Sequence, residues 1–73
     1  MGRTIRTKEY ATLIDKLIKA RHEAGLRQID VAKLFNRPQS FISRVEAGEY
    51  RLDVLELKRL ARIYKRDVGY FIS

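Results

Sequence analysis

Apolar residues recur along the chain at the spacing of amphipathic helices. The first long segment follows the i, i+3, i+4, i+7, i+8 pattern that turns one stripe of a helix toward a core, with Tyr10, Leu13, Ile14, Leu17 and Ile18 at these positions. The pattern predicts a helix from Lys8 to Ala24. Thr7 is expected to cap its start, and Gly25 is expected to end it in the left-handed conformation.

Two short helices with a tight connection are predicted next, from about Gln28 to Phe35 and from about Gln39 to Ala47. Their apolar stripes consist of Val31, Ala32 and Phe35 in the first and of Ile42 and Val45 in the second. Asn36 tolerates the left-handed conformation of a turn, and Pro38 either starts the second helix or lies just before it. The outward side of the second helix carries Gln39, Ser40, Ser43 and Arg44. A helix-turn-helix DNA reader requires such a pair.

Two further helices follow this pair. Asp53 and Glu56 form a capping box that opens the fourth helix, whose buried stripe is Leu57, Leu60, Ala61 and Tyr64. Its basic residues are expected to face solvent: Lys58, Arg59, Arg62, Lys65 and Arg66. Asp67 is expected to cap a short fifth helix over residues 68–72, in which Val68 and Phe71 close the core. We therefore expect an all-α protein, a compact five-helix bundle around a central helix-turn-helix.

Residues 1–7 are predicted to be a basic N-terminal arm, and residues 8–73 the helix-turn-helix domain. Arg3 and Arg6 would reach a groove or the backbone of DNA, as basic arms do. A disordered terminus is an equally good interpretation of this segment.

The net charge of the chain indicates which class of partner it binds. Sixteen Lys and Arg against nine Asp and Glu give a net charge of +7 and a pI near 10.2, which suggests a polyanion. A merely soluble basic surface is the alternative. Seventy-three residues make one domain, and a chain of this size buries only about 60% of its unfolded surface.

Other classes of protein are disfavoured by composition. The absence of cysteine excludes disulfides and thiolate metal sites and fits a reducing cytoplasm, where we expect the protein to work. Apolar runs are too short for a membrane span, and the N-terminus lacks the apolar region of a signal peptide. With one histidine and with acids mostly at helix caps and surfaces, the sequence offers no catalytic constellation, metal site or cofactor site. We expect a protein that is not an enzyme.

Ten residues of the central segment resemble the helix-turn-helix core of the phage repressor and Cro family, also called the Xre type: Gln28, Val31, Ala32, Gln39, Ser40, Ile42, Ser43, Arg44, Glu46 and Gly48. The resemblance extends from about Tyr10 to Phe71. It implies a lambda-repressor-like domain that binds double-stranded DNA through the helix at residues 39–47, whose N-terminal residues enter the major groove first.

The predicted base contacts lie on this recognition helix. Gln39 would pair with adenine N6 and N7, Arg44 with guanine O6 and N7 or with a phosphate, and Ser40 with either base type. Phe41 is expected to be exposed one step round the helix, where the edge of its ring would meet a thymine methyl. Partial packing against the second helix is the alternative.

The predicted phosphate contacts are Gln28, Arg27, Arg37, Ser43 and Arg51. By resemblance, Gln28 contacts a phosphate and holds the side chain of Gln39 in place. The alternative is that Gln28 is only a polar residue in the first turn of its helix. Arg27 stands where the family usually has a capping Thr or Ser. Arg37 stands where the family usually has an apolar residue, so either its stem covers the core or the loop packs differently.

Two internal contacts also follow from the resemblance. Glu46 is expected to pair with Arg21 inside the domain, and Tyr70, Phe71 and Ile72 are expected to form a homodimer interface, unless the chain was cut from a larger protein there. The protein is therefore predicted to be a sequence-specific transcriptional regulator, with a repressor favoured, that binds a pseudo-palindromic operator. The alternative is an antitoxin or another module that binds a protein partner such as a toxin or co-regulator, through exposed apolar residues such as Ile29 and Leu34.

Overall fold

The apolar stripes of the sequence become five α-helices in the computed structural model, which describes residues 7–72. The helices are α1 (Lys8–Glu23), α2 (Gln28–Phe35), α3 (Gln39–Glu46), α4 (Val54–Ile63) and α5 (Val68–Ile72). No strand occurs among the described residues, and the predicted all-α fold is confirmed. The predicted bounds of α1, α2, α3 and α5 agree with the structure to within one residue.

The predicted basic arm at residues 1–7 lies outside the described residues apart from Thr7. None of the helices within residues 7–72 is long and apolar enough to cross a membrane.

One hydrophobic core joins the helices. α2 packs on α3 and α4, α1 on α3 and α5, and α4 on α5. The largest side chains that are fully buried come from the first four helices and are Ile14, Leu17, Val31, Phe35, Ile42, Val45 and Leu60. Burial of each such side chain contributes about 1.5–3 kcal/mol. All seven belong to the predicted stripes.

Helices α1 to α4 end in the same way. Each is followed by one residue in the left-handed conformation, with φ between 58° and 78°, and these residues are Gly25, Asn36, Gly48 and Lys65. The next residue donates its N–H to the carbonyl five positions earlier, at 2.9–3.1 Å, which satisfies a carbonyl that the helix itself leaves open. The predictions for Gly25 and Asn36 are confirmed. Lys65 had no such signal, because a side chain disfavours this conformation.

The predicted helix starts are also present. The Thr7 hydroxyl accepts the N–H three residues on at 3.1 Å. Asp53 accepts the backbone N–H of Glu56 at 2.7 Å, and Glu56 accepts that of Asp53 at 2.9 Å. Asp67 accepts an N–H of α5 at 3.0 Å. Pro38 lies just before α3 in extended conformation, with φ −63° and ψ 155°, which decides between the two predicted positions.

In the C-terminal helix, one of the three residues predicted to form the dimer interface is buried. The Phe71 side chain is only 2% exposed, so it closes the core as predicted and offers no surface to a second copy. Ile72 is 67% exposed, because successive residues of a helix point about 100° apart. Tyr70 lies between these extremes: its ring is half-buried, beneath Lys16 and Arg66.

Two exposed apolar residues were not predicted. Val54 and Leu55, in the first turn of α4, are 71% and 69% exposed. They precede the buried stripe of α4, and the sequence pattern assigned them no role. They add to the exposed apolar side chains to which a partner protein could bind.

Candidate nucleic-acid interface

A buried ion pair ties α1 to α3. The Arg21 Nε donates to Glu46 Oε2 at 2.6 Å and its second terminal nitrogen to Glu46 Oε1 at 3.0 Å. Both side chains are nearly buried, at 11% and 7% exposure. The hydrogen bond with Glu46 and the carboxylate's charge raise the pKa of Arg21, although burial opposes them. The internal salt bridge that the resemblance implied is confirmed.

Two glutamines continue from this pair toward the surface. Gln28, at the start of α2, donates its Nε2 to Glu46 Oε1 at 2.9 Å. Its Oε1 accepts from the Nε2 of Gln39 at 3.4 Å. The predicted contact between Gln28 and Gln39 is therefore present, and it begins at a buried carboxylate.

The outward face of α3 is polar and exposed. The four side chains predicted on it are all exposed, and they are Gln39, Ser40, Ser43 and Arg44. None of the ion pairs between residues 7 and 72 uses the Arg44 guanidinium. Amide, hydroxyl and guanidinium groups in this setting can hydrogen-bond to base edges or to phosphates.

Phe41 does not lie on this exposed face, so the expected thymine contact is wrong. Its side chain is 5% exposed, and its ring stacks on Phe35 at 5.5 Å and meets Tyr50 edge-on at 4.8 Å. Phe41 precedes Val45 by one helical turn and shares its inward side. The alternative prediction, packing against α2, is the one that the structure confirms.

Arg37 covers the ring of Phe41 from outside. Its guanidinium carbon lies 4.5 Å from the ring centroid, and a terminal nitrogen lies 3.9 Å from Glu56 Oε2. The same carboxylate oxygen accepts the Tyr50 hydroxyl at 2.8 Å, and this hydrogen bond raises the pKa of Tyr50. Arg37 thus covers the core, as one of the two alternatives predicted, and keeps its charge exposed at the turn.

Arg59 fixes the end of α2, a role that the sequence did not indicate. Its guanidinium donates to the Phe35 carbonyl at 2.8 Å and lies 4.0 Å from the centroid of the Phe35 ring. The carbonyl belongs to the last turn of α2, where no intrahelical partner exists. Arg59 was expected only to face solvent, and no local pattern connects it to a carbonyl 24 residues away.

The start of α2 carries a second ion pair. Asp30 accepts the backbone N–H of Arg27 at 2.8 Å and two bonds from its guanidinium, both at 3.0 Å. These hydrogen bonds lower the pKa of Asp30 to about 2. Asp30 therefore compensates for part of the helix cap that a Thr or Ser would supply at the position of Arg27. The Arg27 side chain remains 77% exposed and accessible to a phosphate.

Arg51 lies in the loop that follows α3. Its guanidinium carbon is 4.8 Å from the centroid of the Tyr10 ring, and its side chain is exposed. The Tyr10 hydroxyl bonds to this loop on both sides of Arg51: it accepts the Leu52 N–H at 3.1 Å and donates to the Tyr50 carbonyl at 3.2 Å. The loop is thereby attached to α1, and an exposed cation is held on it.

Comparisons with known proteins agree with this geometry. A family model described as a helix-turn-helix domain matches residues 15–69. Among solved structures, the chain is similar to an XRE-family like protein from Pseudomonas syringae pv. tomato str. DC3000, with a TM-score of 0.81 and 40% sequence identity over 86% of this chain and 77% of that chain. A search among curated proteins found no match.

Proposed function

Because the chain belongs to the Xre type of helix-turn-helix DNA-binding families, we propose that it is a sequence-specific transcriptional repressor, cytoplasmic and without catalytic activity. Two copies would bind a pseudo-palindromic operator in double-stranded DNA, with half-sites about 34 Å apart so that both α3 helices meet the same side of the duplex. The observation that carries the proposal is the exposed polar face of α3, set on a helix whose opposite face is buried.

Three residues of that face would read bases. Gln39 has an amide that matches adenine N6 and N7, Arg44 has the fork that matches guanine O6 and N7, and Ser40 can donate or accept. All three side chains are exposed, with Gln39 and Ser40 in the first turn of α3 and Arg44 in its last turn. The N-terminal residues of a recognition helix enter the major groove first.

Phosphate contacts would surround the base-reading residues. The side chains proposed for this role are Arg27, Gln28, Arg37, Ser43 and Arg51. All are exposed except Gln28, which is half-buried at the N-terminus of α2, where free N–H groups and the helix dipole favour an anion. Contacts of this kind fix the register of a protein on DNA without reading sequence.

The test of this function is selection of preferred duplexes from a random DNA pool at about physiological salt, so that backbone attraction does not mask specificity. We expect an enriched inverted repeat with half-sites one helical turn apart. Enrichment of a single half-site would contradict the dimer and keep the base reading. Salt-sensitive binding without any enrichment would contradict the proposed function.

The homodimer would use apolar side chains that the structure leaves exposed. Ile72 and the half-buried Tyr70 remain from the predicted interface, and Val54 and Leu55 are further exposed candidates. Ile72→Glu is expected to lower the dimer fraction in sedimentation equilibrium. Leu34→Glu is the matched control, because Leu34 is similarly exposed, at 61%, and lies on α2. A dimer lost only in the control would move the interface to α2.

A protein-binding module of the same fold is the second candidate. The observation that favours it is a groove of about 430 Å³ whose apolar lining includes Leu26, Leu34 and Ile63. A toxin or co-regulator would dock there. This candidate predicts that DNA selection enriches nothing and that Leu34→Glu abolishes binding of the partner.

A further inference from the structure

A continuous line of hydrogen bonds runs from the buried ion pair to the base-reading face, through Glu46, Gln28 and Gln39. We propose that Glu46 is a positioning residue for base recognition: acting through Gln28, its carboxylate fixes which end of the Gln39 amide faces the DNA. The inference rests on the proposed function, since it concerns how a base is read.

The first link is fixed by the chemistry of the carboxylate. An ionised carboxylate only accepts hydrogen bonds, and that of Glu46 is held by two bonds from Arg21 and is 7% exposed on its side chain. Gln28 must therefore turn its NH₂ toward Glu46, as the 2.9 Å contact shows. The reverse orientation would place two oxygen acceptors against each other. The carbonyl oxygen of Gln28 consequently points away from Glu46.

The second link follows from the first. The exposed oxygen of Gln28 lies 3.4 Å from the Nε2 of Gln39, a long hydrogen bond whose direction is nevertheless determined. If the Gln39 amide were reversed, two oxygens would again face each other. One N–H of Gln39 is directed at Gln28, so the amide presents its oxygen and its second N–H to the DNA.

This fixed pattern discriminates between the two purines. Adenine offers a donor at N6 and an acceptor at N7, which complement an oxygen beside an N–H. Guanine offers two acceptors, O6 and N7, so the fixed oxygen of Gln39 would meet O6 without a hydrogen between them. An amide free to rotate could turn its NH₂ toward guanine instead. The line of hydrogen bonds thus adds rejection of guanine to attraction for adenine.

The first experiment compares duplexes that differ at one base pair. The selected operator supplies the base pair whose preference Gln39→Ala relaxes, and that pair is changed so that guanine replaces adenine. The variants are Gln28→Met, which removes the amide and leaves the Arg21–Glu46 pair intact, and Glu46→Gln, which lets both amides turn. Arg51→Gln is the matched control, because it removes a proposed phosphate contact outside this line.

The ratio of the two affinities is the readout. We expect wild-type protein and Arg51→Gln to prefer adenine by about tenfold or more. In Gln28→Met and Glu46→Gln the preference should fall to about threefold or less. A lost phosphate contact or weakened fold lowers both affinities and leaves their ratio unchanged. An unchanged ratio in Gln28→Met would overturn the proposal even if Glu46→Gln proved too unstable to assay.

A second experiment needs no DNA. The side-chain NH₂ of Gln39 is followed by ¹⁵N relaxation in the free protein, and thermal unfolding verifies that each variant is folded. We expect an ordered amide in wild-type protein and in Arg51→Gln, and a mobile one in Gln28→Met and in Glu46→Gln. If the Gln39 amide is as mobile in wild-type protein as in Gln28→Met, the proposal is overturned.

The two failures are distinguishable. If DNA selection enriches nothing, the proposed function fails while the relaxation measurement still decides whether Glu46 orders Gln39. If a duplex is enriched and the purine ratio does not respond, the function holds and the positioning role is refuted.

Discussion

Two arginine–carboxylate pairs lie at the two ends of the helix-turn-helix. They contain the same kinds of charged group and differ in burial and in the distance along the sequence between the partners. Arg21 and Glu46 are 11% and 7% exposed and join α1 to α3. Arg27 and Asp30 are 77% and 27% exposed and lie three residues apart at the start of α2. A buried charge that loses its partner remains desolvated and costs several kcal/mol, whereas water and salt replace the partner of an exposed charge.

The comparison distinguishes residues that fix the geometry of the proposed DNA interface from residues that would contact DNA. Glu46 cannot exchange its partner, so it is suited to fixing the geometry of neighbouring amides. Arg27 can leave Asp30 for a phosphate at little cost, because its guanidinium is already in water. Burial, more than residue type, decides which of the two tasks an ion pair performs.

The largest expected effect is loss of one partner of the inner pair. Glu46→Ala should lower the free energy of unfolding by about 3–5 kcal/mol, because the Arg21 guanidinium is left buried and unpaired. Urea unfolding followed by circular dichroism measures the change. The control is the double variant Arg21→Met, Glu46→Leu, which should be far less destabilised, because no charge is orphaned. A loss below about 1 kcal/mol in Glu46→Ala would show that solvent reaches the pair.

A comparable effect on a different quantity is expected at the exposed face of α3. Arg44→Ala should weaken binding to the preferred duplex by about 1–3 kcal/mol if Arg44 reads a guanine. The free energy of unfolding should change by less than about 0.5 kcal/mol, because the side chain is exposed. Fluorescence anisotropy and urea unfolding measure the two quantities. Equal weakening on random DNA would assign Arg44 to a phosphate.

Arg59 tests a contact of intermediate burial. Arg59→Met removes the bond to the Phe35 carbonyl and the cation above the ring, and should cost about 1–2 kcal/mol of stability. Arg62→Met is the matched control, because Arg62 is an arginine on the same helix that is exposed like Arg59, and it should cost less than about 0.5 kcal/mol. Equal costs for the two variants would mean that Arg59 does not hold the end of α2.

The smallest effect is expected at the outer pair, and it depends on pH. The pKa of Asp30 is about 2 in the folded protein, below its unfolded value of about 3.9. Its contribution to stability is therefore present above about pH 4 and is lost as the pH falls toward about 2. A carboxyl-carbon NMR titration should find the low midpoint in wild-type protein and a higher one in Arg27→Gln. A midpoint near 3.9 in wild-type protein would mean that the pair is open in solution.

Local features of the candidate site were predictable in part. The exposed residues of α3 followed from helical spacing, and the Gln28–Gln39 contact and the Arg21–Glu46 pair were implied by the family resemblance. Of the two alternatives for Phe41, the exposed position was wrong. The buried side of α3 includes Phe41 in addition to Ile42 and Val45, the two residues that the sequence pattern indicated. Asp30 could have been found, since a carboxylate three residues after the start of a helix is a known partner for the N-cap N–H.

The sequence by itself determined the helices, their starts and most of their ends, because helical periodicity, capping side chains and glycine act within a few residues of the chain. Only the tertiary structure decided which cations are engaged and which apolar groups stay exposed. Arg59 reaches a carbonyl 24 residues away, and Lys65 adopts a left-handed conformation that its own side chain disfavours. Such outcomes depend on which surfaces meet when α4 packs on α2 and α5, and no short window of sequence contains that information.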